Sequence, residues 1–183
     1  MLKINSFLFF ALCIFAILLI GDGIVSSEET RAIDEVKGFR GLQWGMQLPK
    51  DTFDYIRTDP SYGGVEIYVR KNENLKVGKT VVESIEYGIW KDKFCHVLMR
   101  GEGDNEKFLQ IKEAVFKKFG KRNRRDKYTE RYVWSGKDTW ILLKYRREMG
   151  DGIFYMASQK IKNQQKRYNP SVTAIPLEKE GEF

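Results

Sequence analysis

The sequence predicts an α+β protein in which an antiparallel sheet of about six strands carries one main helix on one face. Two observations lead to this prediction. Residues 105–119 repeat apolar side chains at helical spacing, and every other periodic segment alternates apolar and polar residues as strands do. Three of the strand segments precede the helix and three follow it. A sheet with one apolar face needs a cover, and this helix is the element that can supply it.

The chain begins with a segment that is typical of a secretory signal peptide. Lys3 precedes an uninterrupted apolar run from Phe7 to Ile20. This run is shorter than the roughly 20 residues that span a bilayer, and it suits a signal-peptide core. Val25 and Ser27 are small enough to precede a cleavage site. We therefore expect residues 1–27 to be a signal peptide of an exported protein, periplasmic or secreted; the alternative is an N-terminal membrane anchor that is not cleaved.

Cysteine content and charge refine this expectation. Only Cys95 remains after residue 27, so the mature chain has no partner for an intramolecular disulfide. Exported proteins without disulfides are common in bacteria, and we interpret the source as bacterial. The chain is basic, with 32 Lys and Arg against 25 Asp and Glu and a formal net charge of +7.

The rest of the chain divides by composition. Residues 28–37 are polar and predict a flexible leader, residues 38–160 predict a single α+β domain, and residues 161–183 predict a loose polar tail. Near the start of the domain, Pro49 precedes two apolar residues three positions apart. That spacing predicts a short N-terminal helix, which ends at the turn residues 58–64.

Six segments then carry the alternation of strands: 65–70, 81–89 and 94–100 before the helix, and 128–134, 139–145 and 153–158 after it. The helix has a cap at Asp104 or Asn105 and a stop at Gly120. Its apolar stripe contains Phe108, Ile111, Val115 and Phe119. The sheet face expected to meet that stripe carries Val65, Ile67, Val69, Ile85, Tyr87, Ile89, Val97, Met99, Ile141, Leu143, Ile153 and Tyr155.

The opposite sheet face gives the first set of candidate binding residues. It is expected to carry Tyr68, Trp90, Phe94, His96, Trp140 and Phe154. Such a face is too apolar to be left bare. One interpretation is that the N-terminal segment, with Phe39, Leu42, Trp44 and Phe53, covers it. The other is a partly open aromatic surface for a partner protein or an apolar ligand.

A basic segment gives the second set. Lys117 and Lys118 are favourable at a helix C-terminus. The cations continue beyond that helix end as Lys121, Arg122, Arg124, Arg125 and Lys127. One interpretation is a solvated loop. The other is that an exported protein uses them on an envelope protein or on an anionic lipid or polymer surface. We expect no nucleic-acid partner, because no aromatic base-stacking motif interleaves these cations.

The usual catalytic and metal-binding patterns are missing from the sequence. Cys95 and His96 are adjacent, and neighbouring residues on a strand are expected to point to opposite faces, which would prevent a nucleophile–base pair. The mature chain has one cysteine and one histidine, too few for a typical zinc site or for a spare triad histidine. Residues 101–106 contain three acids, but their spacing is not that of a calcium loop. We therefore expect no metal and no cofactor.

The leading hypothesis is a non-catalytic exported binding or interaction module that acts in the periplasm or at the envelope. It would use the aromatic sheet face, the basic segment, or both. The alternative is an envelope hydrolase whose carboxylates converge only in the fold.

Three motifs resemble a family of exported bacterial single-domain proteins that has no established activity. They are the opening GLQWGM, the helix end KKFG and the hairpin WSGKDTWILLKY. The resemblance covers residues 39–158 and implies a fold, but it implies no site. A weaker similarity links the turn at Gly45-Met46 to the small lipoprotein of the outer-membrane barrel-assembly machinery. This chain lacks the lipidated cysteine, is longer and has three more strands, so that lipoprotein's partners are not carried over.

We expect export in a bacterial host to release a mature chain that begins at Glu28, because Val25 and Ser27 present the small side chains that signal peptidase accepts. Intact-mass measurement of the protein from the periplasm or medium checks this. Ser27→Lys should block cleavage and leave the longer chain in the membrane fraction. A wild-type mass that retains residues 1–27 would support the uncleaved anchor instead.

Overall fold

The computed structural model describes residues 33–102, 105–122 and 130–168. Its helices are α1 (Asn105–Phe119) and α2 (Gln159–Tyr168), with 3-10 turns at Lys50–Thr52 and Ser61–Gly63. The strands in these ranges are β1 (Gly38–Phe39), β2 (Leu42–Gln43), β3 (Phe53–Asp59), β4 (Val65–Arg70), β5 (Lys76–Val77), β6 (Thr80–Val81), β7 (Ser84–Trp90), β8 (Lys93–Glu102), β9 (Glu130–Ser135), β10 (Thr139–Arg146) and β11 (Asp151–Ser158). The α+β class, the antiparallel sheet and the main helix are confirmed.

Within the described residues, seven strands form one antiparallel sheet in the order β3-β4-β7-β8-β11-β10-β9. The strands before α1 and those after it meet where β8 pairs with β11, for example at Val97 and Met156. Two small hairpins, β1-β2 and β5-β6, lie outside this sheet. The six predicted strands are all present, and β3 is the seventh.

The predicted short N-terminal helix is wrong beyond its first turn. A single 3-10 turn follows Pro49, and the chain then enters β3, which pairs with β4. Phe53 is buried, but Ile56 is 50% exposed and lies where the register shifts between Tyr55 and Arg57. The three-residue spacing of Phe53 and Ile56 therefore did not indicate one face of a helix. Aromatic and β-branched residues in this segment, together with pairing to β4, favour the strand.

The helix α1 packs on the sheet through the predicted stripe, since Phe108, Ile111, Val115 and Phe119 are all buried. Its first half lies very close to the two central strands. Gly101 pairs with Gly152 across β8 and β11. A Cβ on Gly101 would lie 2.9 Å from Ile111, and one on Gly152 would lie 3.0 Å from Phe108. These glycines therefore make room for the helix.

The predicted faces of β4 and β11 are inverted. Val65 and Ile67 pack with Trp90 and Cys95, away from α1. Ile153 and Tyr155 lie in another cluster on that side, whereas Phe154 and Met156 join the core under α1. Almost every position of β11 is apolar, so the alternation of apolar and polar residues could not show which side chains point to which sheet face. Its register with β8, in which Phe154 pairs with Met99 and Tyr155 with Leu98, determines which face each residue takes.

The N-terminal segment does not cover the second sheet face, contrary to one of the interpretations above. Phe39, Leu42, Trp44 and Phe53 join the core on the α1 side. The Trp44 ring lies 4.8 Å from the Phe94 ring between centroids, and Phe53 meets Tyr87 at 5.1 Å. They extend that core beyond the reach of the helix.

Residues predicted to be loose are ordered at both ends of the described chain. Ile33, in the predicted flexible leader, is fully buried, and the neighbouring Asp34 carboxylate accepts the Lys137 backbone N–H at 2.7 Å. At the other end, the predicted loose tail begins inside α2, whose buried residues are Ile161 and Gln165. A few apolar residues in an otherwise polar segment were too weak a signal to predict either contact. Residues 28–32 and 169–183 lie outside the described ranges.

Nothing described as helical reaches the length and apolarity needed to cross a membrane. The predicted signal segment, residues 1–27, lies outside the described part of the chain.

We expect Phe108→Ala or Phe119→Ala to lower the free energy of unfolding by ~3–5 kcal/mol, because each change removes a buried ring from the interface between α1 and the sheet. Leu109→Ala, on the same helix at a residue that is 46% exposed, should change it by no more than ~0.5 kcal/mol. Urea unfolding of the three variants tests this. Equal losses of unfolding free energy in Leu109→Ala and Phe108→Ala would contradict the packing of α1 on the sheet.

Candidate functional site

The predicted aromatic face does not form one open surface. Phe94 and Phe154 lie in the core on the α1 side and are almost completely buried. Trp90 and Trp140 are buried on the opposite face. Tyr68 is half-buried, packs against the α1-side core and donates its hydroxyl to Glu66 at 2.8 Å.

The helix α2 covers much of the second face. Trp90 donates its indole N–H to the Tyr62 carbonyl at 2.9 Å, and its ring meets Tyr168 of α2 edge-on. The Lys162 ammonium of α2 lies 3.4 Å from the centroid of Trp140. Of the six predicted aromatic and histidine residues, His96 lines a pocket on the second face, and Phe154 lines a cavity on the α1 side. The hypothesis of an open aromatic surface is therefore wrong.

A β-bulge changes the geometry of Cys95 and His96. Ile89 pairs with Phe94 and Gly88 pairs with His96, so Cys95 is an extra residue in β8. This insertion breaks the alternation of faces. The Cys95 sulfur lies 3.4 Å from His96 Nδ1. The expectation that the two side chains point to opposite faces is wrong.

Electrostatics nevertheless argue against a nucleophile–base pair. Burial strongly raises the pKa of the Cys95 thiol, which donates to the Gly88 carbonyl at 3.2 Å. Burial also lowers the pKa of His96 to about 4, against the opposing influence of Asp59 and Glu86. Both groups are neutral at pH 7, whereas nucleophilic cysteine chemistry needs a thiolate.

Gly88 fixes the position of the His96 ring. A Cβ at this glycine would lie 2.1 Å from His96 Cε1, so the imidazole lies directly on the β7 backbone. The His96 ring also packs against Tyr155, and the centroids of the two rings are 5.1 Å apart.

The hydrolase alternative requires free carboxylates that meet in a pocket. Among the described residues, Asp59 and Glu86 border the same pocket on the second face. Both Glu86 oxygens accept hydrogen bonds from Arg57, at 3.1 and 2.8 Å, and Asp59 Oδ1 accepts the Ser61 backbone N–H at 2.8 Å. Glu86 thus has its oxygens occupied by a guanidinium. The described ranges also contain no cluster of three His, Cys, Asp or Glu residues that could hold a metal ion.

A largely apolar cavity lies beside α1, and we call it the α1 cleft. It has a volume of about 420 Å³ and is bordered by β1, the β5–β6 hairpin, the second half of α1 and the central strands. Its apolar lining consists of Phe39, Val77, Met99, Ala114, Val115, Phe119, Phe154 and Met156. Three cations, Arg40, Lys76 and Lys118, also line it, and no carboxylate does among the described residues.

The two small hairpins hold the mouth of this cleft. Arg40 and Gly41 both have positive φ and form the β1–β2 turn. From this turn the Arg40 guanidinium donates to Glu73 at 2.6 Å and to the Lys76 carbonyl at 3.1 Å. The β5–β6 turn reaches α1 at Gly78, where a Cβ would lie 2.9 Å from that of Ala114.

A second cavity of about 470 Å³ continues along α1 on the far side of that contact. It shares Gly78, Ala114 and Lys118 with the cleft and adds Lys79 and Lys117. The predicted basic segment follows directly. Lys121 is exposed and Arg122 half-buried, whereas Arg124, Arg125 and Lys127 lie outside the described residues.

Sequence reasoning missed the α1 cleft because it predicts no strand between residues 70 and 81, where the β5–β6 hairpin lies. The available signal was Gly78-Lys79 between two strand-forming pairs, which is the length and composition of a tight hairpin turn. The cleft itself draws on residues from five separate parts of the chain, and periodicity carries no information about such a convergence.

We expect the NMR signals of His96, the single histidine of the chain, to titrate with a pKa of about 4. The unfolded chain binds this proton below its ordinary pKa of 6.5, so it binds more protons than the folded state between pH 6.5 and 4. Stability should therefore fall as the pH is lowered through this window, by up to ~3 kcal/mol from His96. His96→Gln should lose this component. A histidine that titrates near 6.5 would contradict the desolvation of this half-buried ring.

No family model, no curated protein and no solved structure matches this chain. The resemblance in GLQWGM, KKFG and the tryptophan hairpin therefore stays a prediction, and the function has to be argued from the geometry of the described residues alone.

Proposed function

We propose that this protein is an exported, non-catalytic binding module that holds an amphiphilic anion, namely one acyl chain with an anionic head group, in the α1 cleft. The observation that carries the proposal is an apolar cavity of about 420 Å³ whose charged lining residues are all cations. Apolar walls with a few converging polar groups are the usual form of a ligand site.

The size of the cleft suits a chain better than a compact ligand. A cavity of about 150 Å³ holds one benzene molecule, so the α1 cleft offers nearly three times that space. A chain on the order of ten carbons or more fits such a volume. Burial contributes ~0.8 kcal/mol per methylene, which gives a gross gain of ~8 kcal/mol for ten carbons before the costs of association.

The cations select the head group. Arg40 is already engaged by Glu73 and by backbone carbonyls. Lys76 and Lys118 are exposed and form no ion pair with the other described residues. An attraction of ~1 kcal/mol per cation for an anionic group is small beside the apolar gain. The chain therefore provides most of the affinity, and the lysines favour an acid over a neutral amphiphile.

The surroundings support an anionic partner of this kind. In the adjoining cavity Lys117 adds a cation, whereas Lys79 pairs with Glu113 at 3.9 Å, and Lys121 follows at the end of α1. An exported protein meets acyl chains with anionic head groups in the envelope, as free fatty acids or as lipids.

The test uses mature chain and the fluorescent acid 11-(dansylamino)undecanoic acid. We expect one saturable site, with displacement by dodecanoate. Lys76→Glu combined with Lys118→Glu should weaken binding at least about 30-fold, since two attractions of ~1 kcal/mol are lost and replaced by repulsions. Lys50→Glu combined with Lys166→Glu changes the net charge equally at exposed residues outside the cleft, and it should leave binding unchanged.

A second pair of variants tests the apolar part. Ala114→Phe should fill the cleft and abolish binding, whereas Leu109→Phe, on the same helix but outside the cleft, should not. Displacement by lysophosphatidylglycerol as well as by dodecanoate would assign a lipid source, and displacement by dodecanoate alone a free fatty acid. Absence of a saturable site in the wild-type protein, or equal losses in the paired variants, would overturn the proposal.

A further inference from the structure

The second sheet face holds a separate cavity of about 160 Å³, which we call the trough. Residues of β3, β4, β7, β8, β10 and β11 line it, and Gln165 of α2 closes one side. The sheet lies between the trough and the α1 cleft, since Leu98 and Tyr155 line the trough while Met99 and Phe154 line the cleft. The two cavities share no lining residue.

Three arginines border the trough, and two of them are neutralised within the protein. Arg57 forms a two-pronged pair with Glu86, at 3.1 and 2.8 Å. Arg146 pairs with Asp151 in the same way, with Nε donating to Oδ1 at 2.8 Å. Arg100 is half-buried, and no hydrogen bond or ion pair engages its guanidinium among the described residues.

The trough has two different ends. Arg100 lies four residues beyond His96 on β8, a distance of ~13 Å along a strand. Asp59 and the neutral His96 occupy one end, and the unpaired guanidinium occupies the other. Between them lie Leu98 and Tyr155, which pair across β8 and β11 and present apolar surface. Asp59 accepts the Ser61 backbone N–H at 2.8 Å, and no ion pair joins it to Arg100 in the described part of the chain.

We propose that the trough binds a small organic oxyanion, with its carboxylate or phosphate group on Arg100 and its apolar part on Leu98 and Tyr155. A guanidinium presents a planar fork of donors that matches two oxygens of such a group. The volume equals that of a cavity that holds one six-membered ring. This inference is independent of the acyl-chain site, because it concerns the opposite face of the sheet.

Calorimetric titration of mature chain with three ring compounds of one size tests the inference: benzoate, phenyl phosphate and benzyl alcohol. We expect one site for at least one of the two anions and at least tenfold weaker binding of the neutral alcohol. Tighter binding of benzoate assigns a carboxylate ligand, and tighter binding of phenyl phosphate assigns a phosphate ester. Binding of the alcohol as tight as that of both anions would overturn the proposal.

Variants locate the site. Arg100→Gln should weaken anion binding at least tenfold, whereas Arg147→Gln, which removes an exposed arginine of the neighbouring loop, should not. Arg100→Lys keeps the positive charge but loses the planar pair of donors, so its affinity for the anion should lie between those of Arg100→Gln and Arg147→Gln. This variant preserves the test if Arg100→Gln is unstable. The anion should also shift the NMR signals of His96, which lines the trough. Full binding by both Arg100 variants, or an unmoved histidine signal, would place the anion elsewhere and refute the assignment.

Discussion

The packing of α1 against β8 and β11 is the contact on which the rest of the structure depends. It joins the strands before the helix to those after it, and its first half approaches closely because Gly101 and Gly152 carry no side chains. Beneath the second half the sheet presents Met99, Phe154 and Met156 instead. Those larger residues form the floor of the α1 cleft. The same helix is thus tightly packed at one end and borders a cavity at the other, and the change from glycine to large side chains along two strands explains the difference.

The second face depends on a single inserted residue. With Cys95 bulged out of the register, His96, Leu98 and Arg100 all line the trough, while Phe94, Val97 and Met99 join the core under α1. Gly88 then leaves room for the imidazole to lie flat on β7. Without the extra residue, Phe94 and His96 would share a face. One bulge therefore both buries an aromatic ring in the core and shapes the cavity on the other side.

Where periodicity is strong, the sequence predicted the structure well, and where it is weak the prediction failed for identifiable reasons. The stripe of α1 and six strands follow from spacing alone. The face that each residue of β11 takes could not be predicted from spacing, because nearly every residue from Ile153 to Ala157 is apolar. Only the pairing with β8 decides it. The helix α2 buries just Ile161 and Gln165, too little for a pattern. Both cavities draw on side chains from distant segments, so no local motif could have indicated the α1 cleft or the Arg100 guanidinium, which no other described residue engages.

The two proposed sites would respond differently to the ionic surroundings of the protein. A net charge of +7 raises the local concentration of anions around the whole molecule, but it does not choose between the sites. In the α1 cleft most of the gain comes from removing methylenes from water, which salt does not screen. In the trough the guanidinium supplies the selectivity, and its attraction for an oxyanion weakens as the screening length shortens to about 8 Å at physiological ionic strength. In these two proposals the sheet separates a site governed by apolar burial from one governed by charge, so that each would take its own class of anion without competing with the other.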